Sequence, residues 1–186
     1  MTVLEKAVWV FGYGSLIWRP GFDYVERAVA RLDGVERRFW QGSHDHRGIP
    51  ESPGRVVTLV DVPSAVCTGM AYLVDATVAR QTFEALDHRE KNGYDKRDVS
   101  LSLSDGRLVP GVVYVGEPGN FAWLGEAPLG DIAAQIAASV GPSGSNAEYL
   151  FELAKALRSI DVDDPHVFAL ESAVRNQVAG KHAKDR

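Results

Sequence analysis

Cys67 is the chain's one cysteine, which excludes an intrachain disulfide and fits a reducing, cytoplasmic setting. It lies in a strand-like apolar run over residues 66–74 and reads as a buried, inert thiol. No apolar run approaches the ~20 residues that a spanning helix needs. The opening residues carry Glu5 and Lys6 but no apolar block, which argues against a signal peptide. Positive charge is scarce as well. Twenty Lys and Arg against 25 Asp and Glu leave a formal net charge of −5, which argues against nucleic acid as the main partner. Internal repeats, linkers and low-complexity stretches are missing too. What remains is 186 residues, 45% hydrophobic and 24% charged, which predicts one globular domain over residues 1–186 with a core of its own.

Several catalytic signatures are also incomplete. Gly12-Tyr13-Gly14-Ser15-Leu16-Ile17 has the first two glycines of a dinucleotide fingerprint and lacks the third, and no crossover unit follows. There is no Gly-x-Ser-x-Gly elbow, so Ser15 is not read as a triad nucleophile. His44-Asp45-His46 sets two histidines two apart on a loop with no cysteine partner, a poor metal site. Neither metal nor cofactor is expected.

What is present is organised around an early stretch. An apolar, β-favouring run over residues 8–11 stops abruptly in Gly12-Tyr13-Gly14-Ser15-Leu16. Alternate glycines free the backbone for left-handed or strained dihedrals, and such a turn can gather N–H groups into a cradle for an anion. The other reading is a plain strand-ending turn. Residues 27–40 alternate around Asp33-Gly34 and predict two short strands or one bent one, followed by a long polar loop over 41–54. Residues 55–61 and 66–74 read as a hairpin turned at 62–65, and 98–103 with 108–115 as another turned at Ser104-Asp105-Gly106. Helical spacing covers 77–88, 131–140, 146–159 and 165–178, and residues 180–186 read as a frayed tail. About six short strands, with helices gathered late, predict an α+β fold around a small, mostly antiparallel β-barrel.

Glu90 is the most informative carboxylate. Ala79, Phe83 and Leu86 form one helical face, and the same steps of four and three lead to position 90. Asn92-Gly93 supplies a left-handed cap just beyond. Burial and the negative end of the helix dipole would both raise the carboxyl pKa, which suits an acid–base catalyst. The alternative is a buried Glu paired with Arg47, Arg55 or Arg89. Glu84 and Asp87 read as solvated helix pairs with His88 and Lys91. Ser145 and Glu148 have capping-box spacing, while Ser143, Asn146 and Tyr149 could face a ligand.

Taken together, several stretches resemble the ChaC family of γ-glutamylcyclotransferases. They are Val10-Phe11-Gly12-Tyr13-Gly14-Ser15-Leu16-Ile17-Trp18, Arg38-Phe39-Trp40-Gln41-Gly42-Ser43, Asp45-His46-Arg47-Gly48 and Pro53-Gly54-Arg55-Val56-Val57-Thr58-Leu59. Later come Leu86-Asp87, Arg89-Glu90-Lys91, Gly93-Tyr94, Pro142-Ser143-Gly144, Asn146 and Glu148-Tyr149-Leu150, in family order. His88 departs from the aromatic usual at its position. The resemblance implies a lyase of the γ-glutamylcyclotransferase fold that degrades glutathione to 5-oxoproline and cysteinylglycine without metal or cofactor. It implies Glu90 as acid/base and Val10, Phe11, Gly12, Tyr13, Gly14 and Ser15, with Leu16 beside them, as the substrate loop. Arg47 could take the glycine carboxylate or serve in a structural salt bridge. Tyr13, Tyr94 and Tyr149 are wall or hydrogen-bonding candidates. Two alternatives stay open: a cyclotransferase for other γ-glutamyl amino acids or amines, and a non-catalytic anion-binding regulator. The substrate expected is a small molecule, with neither nucleic acid nor membrane as partner, and the sequence says nothing of oligomeric state.

Overall fold

The computed structural model describes residues 6–184, with side chains through residue 180. Most of the opening segment and residues 185–186 of the predicted tail therefore lie outside the described residues. The chain divides into two compact units. One is Met1–Arg37 with Leu59–Asn120, and the other is Arg38–Thr58 with Phe121–Arg186. No helix among the described residues is long and apolar enough to cross a membrane.

A closed barrel is formed by β1 (Val8–Gly12), β2 (Glu26–Ser43), β3 (Gly54–Val74), β4 (Asp95–Leu103) and β5 (Leu108–Val115), in the order β1-β3-β2-β4-β5; β2 beyond Arg37 and β3 before Leu59 are counted with the second unit. β1 runs antiparallel to β3, with Val10 opposite Tyr72, and parallel to β5, with Val10 opposite Val112. That parallel pair closes the barrel, while β1–β3, β2–β4 and β4–β5 are antiparallel, in keeping with the mostly antiparallel barrel that the sequence suggests. β4 and β5 form the expected hairpin around Ser104-Asp105-Gly106. Helix α1 (Ala76–Arg89) lays its predicted face on the barrel: Ala79, Phe83 and Leu86 pack with Val10, Leu16, Val74, Val112 and Tyr114.

Residues 27–40 belong to one strand, the second of the two readings offered for them, with Gly34 at φ +81° inside it; that strand runs on to Ser43, so the polar loop is shorter than predicted. Residues 54–74 are likewise one strand and not a hairpin. Pro63 suggested a turn because it cannot donate to a ladder. Its part of β3 lies beyond the residues that β1 covers, Met70–Val74, and is largely exposed, so no β1 partner needs its N–H.

In the second unit, helices α2 (Leu129–Ala138), α3 (Asn146–Ser159) and α4 (Pro165–Lys184) pack on one another. Their stripes Ile132/Ile136, Leu150/Leu153/Leu157 and Val167/Leu170/Val174 are buried. α2 ends before the Gly141-Pro142 stop, which instead shapes a tiny hairpin of β6 (Val140–Gly141) and β7 (Gly144–Ser145). α4 continues through most of the tail that was read as frayed. The Asp164 carboxylate caps α4 by accepting the Val167 N–H at 3.1 Å.

A buried carboxylate ties α3 to α4. Glu171, 7% exposed, accepts hydrogen bonds from Arg158 of α3 and, at 2.9 Å, from Arg175 one turn along α4. The Arg158 bond, ahead of the one from Arg175, holds its carboxyl below the usual range. A depressed folded-state pKa adds stability at and above the unfolded value, near 4.5, and that stability drains away as pH falls through the folded value. Glu171→Gln should therefore cost about 1–2 kcal/mol at pH 7. In thermal melts the gap between variant and wild type should shrink between pH 5 and pH 3, and a gap independent of pH would refute the ionic account.

Candidate active site

The loop after β1 is held from behind by its carbonyls. Gly12 ends β1, Tyr13 and Gly14 follow, and Ser15–Ile17 form one 3-10 turn. The buried Arg37 donates Nε–H to the Tyr13 carbonyl at 2.6 Å and an Nη2–H to the Thr68 carbonyl at 2.6 Å. The Gly14 carbonyl accepts from Ile17 N–H at 3.0 Å, and the Ser15 carbonyl from Arg19 N–H at 2.8 Å. In a planar trans peptide the N–H points away from its own carbonyl. Anchoring those three carbonyls therefore turns the Gly14, Ser15 and Leu16 N–H groups away from their anchors. None of the three bonds an acceptor among the described residues.

The glycines serve this loop differently from expectation. Neither Gly12 nor Gly14 has a positive φ, so no left-handed residue builds the cradle. Gly12 is needed for room: a Cβ there would stand 2.6 Å from Leu16 Cβ, and one on Gly69 would stand 2.3 Å from the Gly12 carbonyl. Val10 and Phe11 are ladder residues with buried side chains, and Leu16 is buried against α1.

Phenols complete the frame. Tyr13 Oη donates to the Tyr114 carbonyl at 2.6 Å, and Tyr72 Oη donates to the Leu16 and Ile17 carbonyls at 2.7 and 3.1 Å. Burial pushes the Tyr72 phenol up to about 12, which keeps it a donor. Tyr114 Oη donates to Asp87 at 2.6 Å, and burial first, then Asp87, push its pKa up too. Asp87 is exposed as expected, but its partners are Tyr114 and Lys96 and not the predicted Lys91. It reaches across from α1 to β5 and also pairs with Lys96 at 3.1 Å.

Glu90 stands at the C-terminal end of α1, as the Asn92-Gly93 cap predicts. It caps α1, its N–H bonding the Leu86 carbonyl at 2.8 Å, and Gly93 takes the left-handed conformation three residues on. Its side chain is 18% exposed, and of the three arginines proposed as partners Arg89 lies beside it, Nε to Oε1 3.7 Å. Arg89 also donates Nη2–H to Ser15 Oγ at 2.8 Å and Nη1–H to the Arg19 and Pro20 carbonyls. One guanidinium thereby joins the carboxylate to the loop.

Arg47 and Tyr149 belong to the second unit. Arg47 is buried and makes a salt bridge, Nη1 to Glu148 Oε2 2.8 Å, with a further bond to the Ser145 carbonyl at 3.1 Å. Ser145 caps α3 by accepting the Glu148 N–H at 3.1 Å, while the Glu148 carboxylate goes to Arg47. The Tyr149 ring is buried edge-on against Phe39, 6.0 Å between centroids. The Asn146 amide bonds both the N–H and the carbonyl of Arg55 at 2.7 Å, as a neighbouring strand would. Arg55 Nε donates to Gln135, and burial lowers its pKa. His46 Nδ1 lies 3.1 Å from Ser143 Oγ. Among the described residues no three of His, Cys, Asp and Glu are grouped so as to hold a metal ion.

Reading from sequence missed Arg37, Tyr72 and the Asp87–Tyr114 bond. Arg37 carried a faint signal, a charge on a strand whose alternating neighbours Val35 and Phe39 point inward. The phenol contacts span 27 to 101 residues of sequence and had none.

Comparison with known proteins agrees with this frame. A family model described as ChaC-like protein matches residues 8–177. A glutathione-specific γ-glutamylcyclotransferase 1 from Danio rerio is 40% identical, covering 91% of this chain and 90% of its own. A γ-glutamylcyclotransferase 2-3 from Arabidopsis thaliana is 44% identical, covering 91% and 89%. The crystal structure of a γ-glutamyl cyclotransferase specific to glutathione from yeast superposes with a TM-score of 0.88 at 32% identity, covering 92% of this chain and 96% of its own. By fold, by sequence and by the order of its motifs, the chain belongs to the ChaC-like protein family.

Proposed function

We propose that this chain is a glutathione-specific γ-glutamylcyclotransferase with Glu90 as its general acid and base. The observation that carries the reading is the junction of loop and carboxylate through Arg89, 2.8 Å from Ser15 Oγ and 3.7 Å from Glu90 Oε1. The glutathione-specific cyclotransferase activity that the relatives are named for supports it.

The reaction suits so spare a site. In glutathione the α-amine can fold back on its own γ-carbonyl, so the nucleophile arrives tethered and holding one conformer supplies much of the rate. The amine nitrogen bonds the γ-carbon, the bond from that carbon to the cysteine nitrogen breaks, and 5-oxoproline and cysteinylglycine separate. Atoms balance without water. The Glu90 carboxylate takes a proton from the attacking nitrogen and returns one to the departing nitrogen. N–H groups of Gly14, Ser15 and Leu16, with the Ser15 hydroxyl, serve the oxyanion and the α-carboxylate. Arg47 and Tyr149 are proposed as further substrate contacts, and Arg47→Lys should then raise KM for glutathione more than it lowers kcat.

Incubation of pure protein with glutathione, γ-glutamyl dipeptides and γ-glutamyl amines, with 5-oxoproline as readout, separates the alternatives. Product from glutathione alone is expected. Product mainly from the others would point to a sister cyclotransferase, and product from none would end the enzymatic reading. Glu90→Gln should keep the fold and lower kcat by about 100-fold or more, and near wild-type turnover in a folded variant would remove Glu90 from the chemistry. Gly12→Ala should lower kcat/KM about 10–100-fold by forcing the loop off Leu16; unchanged kinetics would show that the loop's exact path is immaterial.

A further inference from the structure

Arg89 lies at the last residue of α1, yet its side chain does not project into solvent as a C-terminal cation on a helix usually can. Every nitrogen of its guanidinium has a use. Nη1 donates to two consecutive carbonyls, Arg19 at 3.1 Å and Pro20 at 3.0 Å, which fixes the chain just after the 3-10 turn. Nη2 donates to Ser15 Oγ at 2.8 Å, and Nε faces Glu90. The chain also leaves space for the group: Gly21 has φ +75°, and a Cβ there would stand 3.2 Å from Nη1.

Two chemical consequences follow. A hydroxyl has one proton to give and two lone pairs to accept with. Since Arg89 fills a lone pair of Ser15, the Ser15 proton is turned outward as a donor, polarised by the cation behind it. A guanidinium within 4 Å also favours the anionic form of a carboxylate, the form that Glu90 needs in order to take a proton. We infer that Arg89 is a positioning residue that sets the Ser15 hydroxyl as a donor and keeps Glu90 ionised. The inference rests on the reading of Glu90 as acid/base given above.

Other charged or titratable groups also stand near Glu90. From β5, Tyr114 acts on it through space, but the Tyr114 proton is committed to Asp87, whose negative charge opposes a carboxylate anion nearby. Asp87 is in turn partly neutralised by Lys96 of β4. On its own segment Lys91 is exposed, and from the loop Ser15 reaches toward Glu90 through Arg89. Tyr94, which follows the left-handed Gly93, packs on the apolar cluster under the helix.

The test begins with the free protein and needs no turnover. The Glu90 side-chain carboxyl is followed by carbon-13 NMR across pH 3–8, assigned by its absence in Glu90→Gln, in wild type, Arg89→Lys and Arg89→Gln. Arg89→Gln should move the Glu90 midpoint up by about 0.5–1 unit, the partial exposure of the pair limiting the shift. Arg89→Lys keeps a charge and should move it by less than half as much. In parallel, 5-oxoproline formation from glutathione is measured for Arg89→Gln, Ser15→Ala and the double variant, with melting temperatures recorded. Arg89→Gln should raise the acid limb of the kcat/KM–pH profile along with the NMR midpoint. Ser15→Ala should cost at least about threefold less in the Arg89→Gln background than in wild type, since the two share one contact. An unmoved midpoint, or strictly additive losses that track melting temperature, would overturn the inference and leave Arg89 a structural brace. Wild-type protein that makes no 5-oxoproline would instead overturn the reading of function, and the NMR midpoints would still decide whether Arg89 governs Glu90.

Discussion

The double pairing of β1 is the constraint on which the site depends. One edge of this five-residue strand runs antiparallel to β3 and the other parallel to β5, so its backbone has no freedom to slide. The chain must therefore leave the barrel at Gly12, at a point set by both neighbours. Everything near that exit is tuned to the same spot. Gly69 of β3 has no side chain where the Gly12 carbonyl passes, and Gly12 has none where Leu16 folds back. Leu16 then enters the cluster that seats α1, so the same packing that stabilises the barrel also fixes where the helix, and hence Glu90, ends.

Three arginines make their principal contacts with carbonyl or amide oxygens or hydroxyls rather than with carboxylates. Arg37 holds the Tyr13 and Thr68 carbonyls, Arg89 those of Arg19 and Pro20 with the Ser15 hydroxyl, and Arg55 those of Phe39 and Gly125 with the Gln135 amide. Burying a cation is costly without compensation. A planar fork of five donors can supply it by bonding several backbone oxygens at once, which a lysine could not do with the same geometry. For the loop this has a second effect. Each carbonyl that an arginine or a backbone N–H draws inward turns the next N–H the other way, and the positive charge beneath does not compete for an anionic guest. Phenols held protonated by burial add more donors behind the loop without adding negative charge.

Periodicity carried the parts of this arrangement that depend on one element at a time. Steps along a single helix were enough to find the buried face of Ala79, Phe83 and Leu86 and to put Glu90 at the helix end, and local spacing alone identified the β4–β5 hairpin and the Ser145 cap. Local rules failed where distant partners overrode them. Pro63 reads as a turn by its own chemistry, yet it stands inside β3, in a largely exposed part of the strand that β1 does not reach. Asp87 reads as a partner of Lys91 one turn along its own helix, and only the packing of α1 on the barrel brings it the Tyr114 hydroxyl of β5 instead. The glycines of the loop pointed to the right place for a different reason, since conformational freedom and mere absence of bulk leave the same letter in a sequence.

A reaction whose nucleophile is already tethered asks a protein for little chemistry and much rigidity. Rate then depends on how narrowly the substrate's own torsions are confined, and a loop that breathes would return the entropy that tethering removed. That explains why this loop is braced at each step, by Arg37 at Tyr13, by its own 3-10 bonds at Gly14 and Ser15, by Tyr72 at Leu16 and Ile17, and by Arg89 beyond. A brace and a carboxylate also stand at adjacent residues of one helix end. Because Arg89 and Glu90 share a backbone turn, a displacement of the loop cannot occur without a pull on the residue beside the carboxylate. Loop and carboxylate are therefore one mechanical unit.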